Sequence, residues 1–548
     1  MSVTPWVSIA LLLTTFSCRA ERLFVGILEA DSIQSIHYGA AAFSRISDLP
    51  LVQEQVQARL AQSLLLPAYT GIISSDPVKI VQSVDADAPP APDNPANVAI
   101  IPLADDGTAI RQVFAAAYAR HETQDTFTLY ESPADTNRPP RVAMAVADRH
   151  LFTSVSLPAL TWAWQNRSKF LEAPAQSLPG TFRILVNSQR MADLTGARSA
   201  QAAGIVDLGQ LLRTCETLSF SFTLEGAALA LTVRATAKQG SALDALLASW
   251  RVPSEPLWHA VPDNAFFMSL GTADRPDLWT PFLGTQRHRL LAPISDRLPP
   301  PAVTGDRLDY IAPTRNGRGL CWVQLLPVKD PDAARVAIRA LADADGTNSV
   351  SFKHLRQRES GETAIETYAI TLKPPEPTQA AAPGPAAPSL SHILLSLLLK
   401  RAVLECAVHN GHCVTVIGPE GAIDEHLPPV TFAARPLPLN RRIGGQDPAL
   451  TPELTFGGFL RAAELVRHTV TIMPEIKPEQ ARLLPRGGDG ATFGIVHNGR
   501  TLTASLRVQS NEIAALQRLN REGRAVLQEV FFQIFANQMM DMKKPAAQ

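Results

Sequence analysis

Cys406-Ala-Val-His409-Asn-Gly-His412-Cys413 gathers two thiols and two imidazoles in one short stretch. These are the donor types of a tetrahedral zinc site. Local geometry works against that use. Asn410-Gly411 is a strong signal for a two-residue hairpin turn, whose central residues need positive φ. Such a turn sets His409 against His412 and Val408 against Cys413. Side chains alternate faces along a strand, so Cys406 and Cys413 share one face and both histidines take the other. The thiols are expected to be buried and to act as small hydrophobes. A Cys406–Cys413 disulfide is the alternative, but the two sit diagonally, which strains the short Cβ separation such a bond needs.

Other chemistry-bearing residues read as structural. His150 and His412 each follow a hairpin turn, where an exposed strand-start residue is expected. Asp105 and Asp330 follow Pro102-Leu103 and Pro327-Val328 and are placed to cap the next helix. Arg486-Gly487-Gly488-Asp489-Gly490 precedes a strand, so it reads as a turn; a phosphate cradle opens a helix. Asn166-Arg167-Ser168 has the form of a glycosylation sequon. There is no GxSxG, HExxH or Walker sequence. The sequence therefore nominates no catalytic, cofactor-binding or metal residue.

The elements that would carry these residues recur along the chain in one order. Leu23-Phe-Val-Gly-Ile-Leu28 resembles Ala265-Phe-Phe-Met-Ser-Leu270. Ile100 to Asp105 resembles Leu325 to Asp330, and an Ala-rich helical stretch follows each. The hairpin from Val146 to Thr153 matches Val408 to Thr415, with Met144 standing where Cys406 does and Leu151 where Cys413 does. Phe182 to Val186 resembles Phe456 to Leu460, with helices beginning at Met191 and Leu465. Phe220 to Arg234 resembles Phe493 to Arg507, with Glu225-Gly226 and Asn498-Gly499 in the same turn. Ordered self-similarity of this kind sets the architecture. The expected class is α+β: two tandem repeats, each a curved antiparallel sheet packed against helices. The expected divisions are a signal peptide at 1–20, a first repeat at 21–250, a linker at 251–263 and a second repeat at 264–548. The second repeat carries a Pro/Ala-rich insertion at 373–390 and a long C-terminal helix at 511–540.

Net charge is −1 and aromatic residues are 6% of the chain. No basic field invites nucleic acid, and stacking platforms are scarce. The apolar run from Val7 to Leu13, followed by Cys18-Arg19-Ala20, reads as a cleaved export signal with maturation before Glu21. Thr15-Phe16-Ser17-Cys18 is a poor lipobox, so a lipoprotein is the lesser alternative. Cys215, Cys321, Cys406 and Cys413 remain, too few in so long a chain for a disulfide scaffold.

Two apolar segments are candidate contacts. After the Pro/Ala-rich stretch, Ile393, Leu394, Leu397 and Leu398 are apolar nearly all round, which suits burial or docking on a partner or membrane surface. In the C-terminal segment, Ile513, Leu516, Leu519, Val526, Val530 and Ile534 keep near-helical spacing, which suits core packing or a homodimer seam.

The hairpin Arg149-His150-Leu151-Phe152-Thr153 running on to Leu157, Leu160 and Trp164 resembles the tandem modules of exported bacterial proteins of unknown function. The sheet plan is also similar to that of lipoprotein carriers. These resemblances imply an envelope role, periplasmic or secreted, with no known activity. The sequence-based expectation is a non-enzymatic envelope protein that binds a protein partner or an apolar ligand and needs no cofactor. The alternatives are a hydrolase or transferase with a dispersed active site, and a structural dimer or scaffold.

Overall fold

The computed structural model describes residues 22–47, 51–85, 96–124, 126–132, 139, 141–171, 178, 180–199, 208–225, 228–253, 257–272, 306–341, 350–372, 402–428, 454–472, 479, 482, 484 and 486–521. The expected signal segment, the insertion at 373–390 and Ile393, Leu394, Leu397 and Leu398 lie outside these residues. The expected C-terminal helix is described from 510 to 521 only.

The expected α+β class, two tandem helix-backed sheets, is corrected. The described residues are mostly antiparallel sheet, 44% strand against 32% helix, in twenty strands, the last of them Thr501–Gln509. The physical reason is residue alternation. Cys215–Glu225 with Ala228–Ala237, and Val350–Ser360 with Thr363–Leu372, run as long hairpins. Polar and apolar residues alternate through much of them, a period that suits a sheet rather than a helix. Helices also cover less than expected. The core around Tyr310 is met by the short 3-10 turns Leu257–Ala260 and Ala422–Glu425.

The chain divides into two compact units. Among the described residues, one comprises 22–247 and Asn498–Ser505, and the other comprises 248–497 and 506–521. In the first, the strands are β1 (Arg22–Ala30), β2 (Val78–Asp85), β3 (Ala96–Pro102), β4 (Arg120–Gln124), β5 (Phe127–Glu131), β6 (Arg141–Ala147), β7 (His150–Ser154), β8 (Phe182–Val186), β9 (Cys215–Glu225) and β10 (Ala228–Ala237). Their ladders run β4-β5-β6-β7-β3-β2-β1-β8-β9-β10. One sheet face packs Ile101, Met144 and Leu151 against Ile110 and Phe114 of the helix Thr108–Ala117. The other packs Ile100 and Phe152 against Leu160 of the helix Leu157–Gln165. That helix starts where it does because the Ser156 hydroxyl accepts the Ala159 N–H at 3.3 Å and Pro158 fits the first turn.

In the second unit the strands are β11 (Phe267–Thr272), β12 (Asp306–Pro313), β13 (Leu320–Pro327), β14 (Val350–Ser360), β15 (Thr363–Leu372), β16 (Val403–His409), β17 (His412–Gly418), β18 (Phe456–Leu460) and β19 (Ala491–Asn498). Their ladders run β14-β15-β16-β17-β13-β12-β11-β18-β19. One face buries Leu404, Cys406, Cys413 and Tyr368 under the helix Pro331–Arg339. Asp330 caps that helix, accepting the N–H groups of Asp332 and Ala333 at 3.1 and 3.0 Å. The other face buries Tyr310, Val323, Leu325 and Val414. Each such aliphatic side chain contributes about 2 kcal/mol when withdrawn from water.

Candidate functional site

A row of polar residues crosses the second unit's sheet. Ser269 lies opposite Asp309, Asp309 opposite Gln324, and Gln324 opposite Thr415. Thr415 then lies opposite Cys406, Cys406 opposite Glu366, and Glu366 opposite Gln357. Directly opposed residues project to the same face, so seven adjacent strands present one continuous line of side chains. Gln324, Thr415 and Cys406 are fully buried, and Ser269, Asp309 and Glu366 nearly so.

The first unit has a row crossing its own strands at Leu28, Ile80, Ala99, Thr153, Met144 and Thr128. That line is largely apolar. The polar character therefore belongs to the second unit's residues and does not follow from sheet construction.

Each carboxylate in the row is held. Arg307 grips Asp309 with two donors, Nε at 2.6 Å and Nη2 at 3.2 Å, and the Gln324 amide donates to the same carboxylate at 2.9 Å. Glu366 takes His354 Nε2 at 2.9 Å and, from the covering helix, Arg339 Nε at 3.4 Å. A bidentate guanidinium fixes a carboxylate in orientation as well as charge. Gln324 Oε1 in the row, and Trp322 Nε1 two residues earlier on the same strand, are buried and without a hydrogen-bond partner among the described residues. Thr415 Oγ1 is also buried, beside the Cys406 and Cys413 thiols, and thiols are weak partners. Burial pushes both thiols up, Cys413 to about 12 and Cys406 well above its ordinary value. Neither is a thiolate near neutral pH, so neither is an activated nucleophile. The arrangement offers fixed charges and hydrogen-bonding positions.

The opposite face carries a second group. Glu405 is fully buried. Its carboxylate accepts the N–H groups of Gly421 and Ile423 at 3.1 Å and the Arg358 Nη2 at 3.0 Å. Arg358 also reaches Asp424 at 2.9 Å, and Arg356 pairs with Glu420. These bonds clamp the Ala422–Glu425 turn to β14 and β16. The turn's free N–H groups need an acceptor there, and Glu405 supplies it. The first unit has its own charged row, in which Glu29 lies opposite both Lys79 and Arg183. Arg183 bonds Glu29 and Asp31 at 2.7 Å. The Lys79 ammonium, its pKa lowered by burial, donates to the Phe170 carbonyl at 2.7 Å.

The structure separates the Cys-His cluster as its hairpin pattern requires. Val408 opposes Cys413 and His409 opposes His412. His409 Nδ1 meets Thr363 Oγ1 at 2.6 Å, and His412 Nδ1 meets the Asn410 carbonyl at 2.8 Å. All four described cysteines are buried and unbridged. Among the described residues no group of three or more His, Cys, Asp or Glu is arranged to hold a metal ion. His150 Nδ1 meets the Asp148 carbonyl at 2.7 Å. Asp105 accepts the N–H groups of Gly107 and Ala109 at 2.8 and 3.2 Å from the loop before the helix, whose N-cap residue is Gly107; Asp330 is itself the N-cap of its helix. The docking candidates Ile393, Leu394, Leu397 and Leu398 lie outside the described residues.

Sequence reading missed Asp309, Gln324, Glu366 and Glu405. Gln324 and Glu405 are lone polar residues inside otherwise apolar strand runs, Leu320-Cys-Trp-Val-Gln324-Leu-Leu and Val403-Leu-Glu405-Cys-Ala-Val, whereas Asp309 and Glu366 have polar neighbours in their strands. At Gln324 and Glu405 that interruption was the available signal, because a buried polar residue needs a partner from elsewhere.

The chain matches no protein-family model, no curated protein and no solved structure.

Proposed function

We propose that this chain is an exported, non-catalytic binding protein that engages a polypeptide partner in the cell envelope. The observation that carries the reading is the engagement of the acids buried in the second unit. Asp309, Glu366 and Glu405 are each bound by an arginine, and Glu405 by backbone N–H groups as well. Glu512 accepts the N–H groups of Ala463 and Gly490 at 2.8 and 3.1 Å. General acid–base catalysis needs a group poised to exchange a proton with a substrate. These groups instead fix turns and strands into a rigid platform, as a binding surface requires. The leader-like run from Val7 to Leu13 supports export. Among the described residues no helix is long and apolar enough to cross a membrane.

The test is cross-linking in the intact envelope, followed by mass-spectrometric identification of the conjugate, alongside a panel of hydrolase and transferase substrates. The reading expects a defined polypeptide conjugate and no turnover. Turnover abolished by Glu366→Gln in a folded protein would replace it with the enzymatic alternative, and a bound lipid without a polypeptide would replace it with an apolar-ligand carrier.

A further inference from the structure

We infer that the turn Ala422–Glu425 is an acid-released latch, which opens when His426 takes up a proton and uncovers the apolar sheet face beneath it while the second unit stays folded. The inference goes beyond the partner-binding reading and does not rest on it. His426 directly follows the turn and is tied to it, its backbone N–H donating to the Ile423 carbonyl at 2.9 Å. The ring is buried. Nδ1 meets the Tyr310 hydroxyl at 3.1 Å, and Nε2 is buried without a hydrogen-bond partner among the described residues. A neutral imidazole fits such a place. An imidazolium carries a proton on both nitrogens and needs an acceptor for each, and an uncompensated charge is costly to bury. Proton uptake and the closed turn therefore oppose one another.

The charged groups around the ring are engaged elsewhere. On the turn, Glu425 accepts the Arg315 N–H at 2.9 Å, and Asp424 pairs with Arg358 of β14. Glu405 of β16 holds Arg358 and the N–H groups of Gly421 and Ile423, and Glu420 pairs with Arg356. Burial raises the Tyr310 hydroxyl of β12, and raises the Cys321 thiol of β13 to about 12, so both stay neutral. From β15 and β17, Ile365 and Val416 line the same core. Burial accordingly lowers His426 to about 4, against the pull of Glu425 and with help from Arg315. Once the turn opens, the ring titrates near its free value of about 6.5. Opening is thus unaffected above that pH and increasingly favoured as pH falls toward 4. The turn is fastened lightly enough to yield alone. It has four residues, no side-chain cap, and internal bonds of 3.1 Å from Ala422 N–H to the Pro419 carbonyl and 3.3 Å from Asp424 N–H to the Gly421 carbonyl. Ala422 and Ile423 pack in one core with Tyr310, Cys321, Val323 and Val416, which is the surface that opening exposes.

The test is hydrogen exchange of the full chain across this pH range, read as protection factors corrected for intrinsic exchange. Protection of the Gly421–His426 amides should fall about tenfold per pH unit between about 6 and 4.5. It should stay below that of the Val414–Val416 amides throughout, marking an opening short of unfolding. In the native chain, dithiodipyridine should label Cys321 increasingly faster than Cys413, which lies on the opposite face, as pH falls. His426→Gln, neutral at every pH, should remove the slope at the turn. Equal protection of the turn and of Val414–Val416 at every pH would overturn the latch, because the turn would then open only with the whole sheet. A turn whose protection ignores pH, or a slope that survives His426→Gln, would overturn the assignment to His426.

Discussion

The Tyr310 hydroxyl lies 3.1 Å from His426 Nδ1, with both rings buried beneath the turn that Glu405 holds. The rings meet edge to face at a centroid separation of 5.6 Å. His426 Nε2 is buried without a hydrogen-bond partner among the described residues. Burial lowers the imidazole pKa to about 4, with Glu425 opposing the shift and Arg315 adding to it. The ring is therefore neutral in the native protein. In the unfolded chain it titrates near 6.5. Between those values the unfolded state binds more protons, so stability falls as pH drops from about 6.5 toward 4 and is fully retained above that window. The loss attributable to this group is about 3 kcal/mol. Urea unfolding followed by tryptophan fluorescence should show the slope, and His426→Gln should flatten it. An unchanged slope in the variant would assign it to other groups.

Glu405 should matter more for stability than any exposed acid. Glu405→Ala leaves Arg358 without its buried partner and the Gly421 and Ile423 N–H groups without an acceptor. Breaking a buried pair from one side costs roughly 3–5 kcal/mol. Thermal unfolding should show a large drop, whereas Glu131→Ala, at the exposed Arg141 pair, should cost less than about 1 kcal/mol.

Both hairpin turns should favour glycine at their second central residue. Asp148 and Arg149 have φ of 49° and 57°, and Asn410 and Gly411 have 47° and 74°. A left-handed arginine is strained where glycine is not. Arg149→Gly should stabilise by about 0.5 kcal/mol after loss of its bond to the Ala104 carbonyl, and Gly411→Ala should destabilise by about 1 kcal/mol. Denaturant midpoints decide both signs.

The four described thiols should be slow toward iodoacetamide in native protein at pH 8 and fast in denaturant. Burial raises Cys215 to about 11 and Cys321 and Cys413 to about 12, and it raises Cys406 well above its ordinary value. Rapid native labelling of Cys413 would contradict the packing of the β16–β17 hairpin.

Local pattern made part of this legible. Asn410-Gly411 specified its turn and the pairs beside it because the determinants are adjacent in the chain. Met144 and Leu151 pointed correctly to buried positions for Cys406 and Cys413; all four are at most 1% exposed. The balance of strand over helix was misjudged, since short Ala- and Leu-containing stretches satisfy either period and length has to arbitrate. The polar row was illegible because its members lie on separate strands, and only the ladder registers align Asp309 with Gln324 and Cys406 with Glu366. The role of Glu405 was hidden for the same reason: its backbone partners at Gly421 and Ile423 arrive one strand later.

The central claim is that the buried polar groups build a binding platform and perform no chemistry. The most direct measurement compares Glu366→Gln with the native chain for both unfolding free energy and yield of the envelope conjugate. The substitution removes the charge that His354 and Arg339 share. The account predicts a loss of about 1–3 kcal/mol, with conjugate yield unchanged under conditions where both proteins are folded. Unchanged stability with conjugate formation or an enzymatic turnover abolished would contradict it, and would place Glu366 in a working site.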